Sequence, residues 1–183
     1  MERYLQPTAY FDYNQPELKA WIAARLEGVS KDPIEQAKTL YLGAAARSIG
    51  IPSRLGLADV RNHLSSPKLI EWLRSDIFRM HGFIELYLNG RWVKATPAFN
   101  KHLCEMMKVE PLEFDGVNDS IFQEYTEAGE AHMEYVNDHG VFDDVPHDFI
   151  LSGITAAYGH LFSGKGAPAA VEGSLARGIM PDS

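Results

Sequence analysis

"HGFIELYLNGRWVKATPAFN", His81 to Asn100, decides the fold. Two alternating runs flank Asn89-Gly90, the dipeptide preferred in two-residue type I′ turns because both residues tolerate positive φ. Such a turn fixes the register. Leu88 then lies opposite Arg91, Tyr87 opposite Trp92, Leu86 opposite Val93, Glu85 opposite Lys94, Ile84 opposite Ala95 and Phe83 opposite Thr96. Leu88, Leu86 and Ile84, with Val93 and Ala95, make one apolar face for the core. Tyr87, Glu85, Phe83, Trp92, Lys94 and Thr96 make the other, with His81 at the strand's entry. A polar-aromatic face of this kind suits a cleft wall.

Upstream, "QPELKAWIAARLEG" (15–28) reads as an amphipathic helix, with Pro16 in its first turn and Gly28 beyond its end. "DPIEQAKTLYLGAAARSIG" (32–50) reads as one longer helix. Asp32 is its N-cap, Glu35 completes a capping box and Gly50 terminates it. "IPSRLGLADV" is a buried strand from Ile51 to Val60, and "SSPKLIEWLRSDIF" a short helix capped by Ser66. Past Asn100 the periodicity weakens. "KHLCEMMKV" reads as a short helix. "EPLEFDGVNDSIF" and "AHMEYVNDHGVFDDVP" read as short strands and loops, and "HDFILSGITAAYGHLF" as the last long helix. Residues 1–162 are expected to form a single domain. The small-residue-rich tail from Ser163 is expected to be mobile or docked on a partner.

The 183 residues are 45% hydrophobic and 23% charged, ordinary for one globular domain. A net charge of −8 argues against nucleic acid as the partner, since phosphate binding needs clustered Lys and Arg. No apolar run is long enough for a bilayer, and the N-terminal stretch lacks an apolar signal region, so a cytoplasmic location is expected. One cysteine, Cys104, leaves no internal disulfide and no cysteine-rich zinc site. The seven histidines show no His-x-x-x-His spacing on a helix, the acidic loops lack calcium-loop spacing, and no glycine-rich phosphate loop occurs. No metal or cofactor is expected.

Two motifs go further. Arg47 to Arg54 reads Arg-x-x-Gly-Ile-Pro-x-Arg, and His81, Glu85 and Tyr87 read His-x-x-x-Glu-x-Tyr before Thr96-Pro97. With "ADVRNHL", "TPAFNKHLCE", "PLEFDG" and "HMEYV", they resemble the transglutaminase-like domain, in one bacterial branch, over most of Asp32 to Pro146. The resemblance implies an α+β, papain-like core with helices packed on a small antiparallel sheet. It also implies a cysteine, histidine and aspartate arrangement that hydrolyses amides or transfers acyl groups through a thiolate.

The chain departs from that pattern twice. Counting back along the helix, the nucleophile position falls near Glu35. In a second alignment, "DPIEQAKTLY" is a helix that precedes the nucleophile helix, and the segment between them is missing. The two helices are then spliced into one continuous helix from Asp32 to Ile49. In neither alignment does a cysteine stand at the nucleophile position. Cys104 lies after the hairpin, where a small buried apolar residue is the ordinary role. The second departure is Thr96 at the aspartate position. Its hydroxyl can orient a ring nitrogen but cannot stabilise an imidazolium by charge, and neutralising such a carboxylate in a protease triad costs ~10⁴ in turnover.

The candidate catalytic residues are therefore His81, Thr96 and Asp59, and the candidate substrate contacts Arg61, Asn62, His63, Phe83, Glu85 and Trp92. "ADVRNH" has two readings: a strand-end turn with an internal Asp–Arg pair, or a polar cluster that binds a carboxylate or amide through Arg61. Two functions stand beside each other. One is a divergent relative without cysteine-dependent chemistry that binds a peptide or a small amide- or amine-like ligand, or another protein. The other is an enzyme on an amide, ester or acyl group that uses His81 as general base toward water, helped by Asp59 or Glu85. An apolar surface bared by the trimmed segment would favour a homodimer.

Overall fold

The structure, a computed structural model, describes residues 1–40, 43–96, 104–105, 108, 112–121 and 128–162. Among them the fold is α+β. Five α-helices, α1 (Pro16–Leu26), α2 (Pro33–Thr39), α3 (Gly43–Ser48), α4 (Pro67–Leu73) and α5 (His147–Tyr158), accompany a four-stranded antiparallel sheet. The strands are β1 (Ser53–Asn62), β2 (Ile77–Leu88), β3 (Arg91–Ala95) and β4 (Met133–Phe142), in the order β3-β2-β1-β4. The tail from Ser163, and most of "KHLCEMMKV", lie outside the described residues.

The hairpin has the expected register from Leu88–Arg91 to Ile84–Ala95, with Asn89 at φ 48° and Gly90 at φ 83°. The ladder stops there, so Phe83 and Thr96 do not pair within it. Thr96 instead donates its N–H to the Ser120 carbonyl, which extends the outer side of β3. Leu86, Leu88 and Val93 are buried against Ala37 of α2, Ala46 of α3 and Ile51. Fully burying side chains of this size contributes ~2 kcal/mol each. On the far side of α2 and α3, Leu40 and Ala45 receive Ile22 of α1, which makes a second helical layer.

The single helix expected from Asp32 to Ile49 is two. The helix stops at Thr39, where Leu40 swings to φ −128°, ψ 56°, and helical backbone resumes at Gly43. Burial explains the stop: Leu40 packs beneath α1, while Gly43 approaches so closely that a Cβ there would fall 2.3 Å from the Phe11 ring. The capping box is also only half formed. Asp32 Oδ1 accepts from the N–H groups of Ile34 and Glu35, but the Asp32 N–H donates to Ser30 Oγ, and Glu35 pairs with Lys38 instead. The α3 terminus is as expected, with Gly50 at φ 85° and its N–H bonded to the Arg47 carbonyl.

Arg47 explains why β1 starts where it does. Its buried guanidinium donates to the carbonyls of Ser53, Gln6 and Asp143, and it stacks 4.3 Å over the Phe11 ring. One side chain thus ties together the N-terminal segment, the start of β1 and the exit of β4. Beyond it, "MEYVNDHGVF" is a single ten-residue strand rather than short pieces. It stays one strand by slipping register against β1 twice, between Leu57 and Ala58 and between Asp59 and Val60. On the other side of β1, β2 carries an extra residue opposite Asp59, with Met80 at φ 58°.

Candidate functional site

The register places His81, Phe83, Glu85, Trp92 and Lys94 on one face, as the hairpin rule requires. Gly56 sits opposite Phe83, and a Cβ there would lie 2.2 Å from the ring, so glycine is what lets Phe83 lie across β1. Tyr135 of β4 meets Phe83 edge-on, ring centres 6.3 Å apart, and Lys94 Nζ rides 4.9 Å from the Phe83 centroid. The Thr96 hydroxyl faces the Tyr135 phenol. Burial pushes that phenol up to about 12, and Asp138 and Asp119 add to the rise. Tyr135 was not among the residues expected here; it reaches this face from β4, whose register no local pattern discloses.

The motif charges act as braces. Arg54 and Glu85 are ladder neighbours and form an ion pair, and Arg54 also lies 4.0 Å over Trp92. Tyr4 packs edge-on against Trp92 from the N-terminal segment. Phe83, Glu85 and Thr96 are buried, so of the expected site residues on this face His81 and Trp92 are the partly exposed ones. Burial lowers the basicity of His81 and holds its imidazole toward the neutral form.

Asp59 is not with them. Ala58 pairs with His81, so the next residue turns to the opposite side, toward α5. There the Asp59 carboxylate, 1% exposed, accepts from Arg79 Nη1 (2.7 Å), the Met80 N–H (3.2 Å) and His139 Nε2 (2.9 Å). Burial alone would raise its pKa, but these hydrogen bonds outweigh it and hold the carboxyl below its ordinary range. The expected assistance of His81 by Asp59 or Glu85 is therefore not built: Asp59 holds His139 and Glu85 holds Arg54.

The "ADVRNH" cluster resolves into turn bracing. Arg61 pairs with Asp76 (2.8 Å) and Glu134 (3.0 Å), His63 Nε2 lies 3.2 Å from Glu134, and the Asn62 side-chain oxygen Oδ1 accepts from the Leu64 N–H. The Asp–Arg pair exists, with Asp76 rather than Asp59. Glu35 is exposed beside Lys38. Cys104 is fully buried, and burial pushes its thiol up, away from the thiolate a nucleophile needs. Among the described residues, no group of three or more His, Cys, Asp or Glu side chains is arranged to hold a metal ion, and no helix is long and apolar enough to cross a membrane.

Comparison of the chain with family models, with curated proteins and with solved structures returned no match. The site therefore stands on its own geometry. Its first face carries a neutral, partly exposed imidazole and an ammonium over aromatic rings, with the Thr96 and Tyr135 hydroxyls buried beneath, which suits an uncharged polar group better than a charged one. Its second face holds a buried carboxylate on an imidazole. Arg79 and His139 are the residues a reader of the sequence would miss, because each is displaced onto Asp59 by an irregularity in its strand.

Proposed function

We propose that the chain is a divergent transglutaminase-like protein that has left thiol chemistry behind and binds a peptide or a small amide- or amine-bearing ligand on the His81 face. The state of Cys104 carries this reading: the only thiol in the sequence is fully buried and held in its protonated form. Support for the family comes from the motif residues. Arg47 clamps the start of β1, and Arg54 and Glu85 brace each other across the ladder that carries His81. A neutral His81 can accept or donate one hydrogen bond to an amide without the desolvation cost of a buried cation.

The test uses the full chain with an N-blocked glutaminyl-glycine dipeptide and a fluorescent primary amine. Saturable perturbation of the His81 ring resonances by the dipeptide, lost in His81→Gln, is expected. No amine incorporation is expected, before or after iodoacetamide treatment. Amine incorporation that alkylation of Cys104 abolishes would overturn the reading, as would the absence of any perturbation at millimolar dipeptide.

A further inference from the structure

We propose that Asp59 and His139 form a general-base dyad, on the sheet face opposite His81, that hydrolyses small esters carrying an anionic group. Three irregularities converge there. The register of β4 slips past His139, so this residue is the extra one between Gly140 and Asp138. On the other neighbour of β1, Arg79 and Met80 form the bulge, and Met80 has φ 58°, a strained value for a residue with a side chain. Bulges next to a site re-aim side chains, and strain persists where surrounding structure enforces it. Here both bulges aim donors at one buried carboxylate.

The bonding pattern sets the chemistry. Donation by His139 Nε2–H to Asp59 Oδ1 leaves the lone pair on Nδ1. The ring is partly open to solvent, with 15% of its side chain exposed, whereas Asp59 is sealed at 1%. A sealed carboxylate orients the imidazole and stabilises the cation formed when Nδ1 takes a proton, the role of the acid in a hydrolytic triad. Asn137 Nδ2 lies 3.5 Å from Nδ1, a long hydrogen bond that an arriving water and ester displace, after which the amide can donate to a carbonyl oxygen as charge builds there. Arg79 binds Asp59 through Nη1 with its side chain 39% exposed, which presents a guanidinium edge to an anionic substituent. Phe149 stands edge-on to His139 at 5.6 Å, with Phe142 5.9 Å behind it, an aromatic wall for the apolar part of a substrate.

The step needs only water. Nδ1 takes a proton from water as its oxygen bonds to the ester carbonyl carbon and the C=O electron pair moves to oxygen. Collapse of that intermediate breaks the bond to the leaving alcohol oxygen, which receives the proton from Nδ1. The products are a carboxylic acid and an alcohol, and His139 returns to its starting state. A purely bracing role would ask only for a donor to Asp59; it would not require an imidazole that stays partly open to solvent.

The experiment follows nitrophenolate release from mono-4-nitrophenyl succinate and from 4-nitrophenyl acetate by the full chain. The wild type should hydrolyse the succinate ester with saturation. His139→Gln should lower kcat at least about 100-fold, the usual contribution of a positioned base, and remove the pH-dependence of kcat. Asp59→Asn should lower kcat as well. Arg79→Met should raise KM for the succinate ester by a larger factor than for the acetate ester, because it removes the anion contact as well as one donor to Asp59. Lys38→Gln, at an exposed position of α2, should leave both rates unchanged, and the dipeptide titration at His81 reports the ligand face separately. Because Asp59→Asn can unfold the chain, the decision rests on His139→Gln with its melting curve. A folded His139→Gln protein that retains the wild-type rate overturns the proposal, and so does a wild-type rate no faster than buffer.

Discussion

The β2–β3 hairpin and the β1–β4 pair belong to one sheet but are specified in different ways. The hairpin is regular along its ladder, and its register follows from the Asn89-Gly90 turn between the two strands. The β1–β4 pair joins residues 71 to 87 positions apart, slips twice, and gathers around the Asp59 carboxylate. Local chemistry fixes the first. The second depends on one buried anion that satisfies donors from two neighbouring strands, and such an anion is costly unless every partner is present.

The difference can be broken from either side. Leu86→Ala, at a fully buried position, should cost ~4 kcal/mol in urea unfolding, because the cavity lies between the hairpin and α2 and α3. Asp59→Ala should cost ~3 kcal/mol; the Arg79 side chain is 39% exposed and can turn to water, which lowers the penalty. The two should differ in where they act. Hydrogen exchange in Asp59→Ala should quicken in β4 and at the start of β2, while amides from Ile84 to Leu88 keep their protection; equal quickening in the hairpin would show the two regions to be one cooperative unit.

Gly90→Ala is smaller, ~1 kcal/mol. Nothing lies within 4 Å of the added Cβ, so the whole effect is the strain of φ 83°. A change in hairpin register would instead alter the cross-strand contacts of Tyr87 and Trp92, which lie 5.3 Å apart.

Acid should separate the regions once more. His81 is less basic folded than unfolded, so it contributes stability above its ordinary value of 6.5 and loses it as pH falls below that. His132, also buried, acts in the same direction. The Asp59 carboxyl is more acidic folded than unfolded, so its contribution persists down to about 3.8 and is lost only below. Stability measured against pH should therefore decline in two windows. His81→Gln should make the upper one shallower, leaving the share of His132, and keep the lower intact; an unchanged upper window would remove His81 as one of its sources.

These same contrasts decide what could be read from residues alone. The hairpin and the caps at Asp32 and Ser66 follow rules that span two to four residues, and they are where those rules put them. The break after Thr39 has no proline to announce it, and Gly43 before a run of alanines reads as a small residue for close helix packing; it arises because Leu40 must be buried under α1 while Gly43 must approach Phe11. In "EYVNDHGVF" the alternation fails at the two slips, so the stretch reads as fragments although it pairs throughout. For the site, the face that holds His81, Phe83, Glu85 and Trp92 was legible because the turn dictates it. The partner of Asp59 was not, since a bulge displaces His139 from the side that alternation would assign.

The slips in β4 also bear on the company the sheet can keep. In the order β3-β2-β1-β4, β4 forms one margin of the sheet. A straight margin is a template on which another chain can lay a strand and propagate an aggregate. A margin kinked at two places offers no uninterrupted run of evenly spaced donors and acceptors, and Lys94 and Thr96 at the opposite margin are already bonded to Ser120. The irregularities that gather donors around Asp59 thus also discourage this sheet from growing into its neighbours.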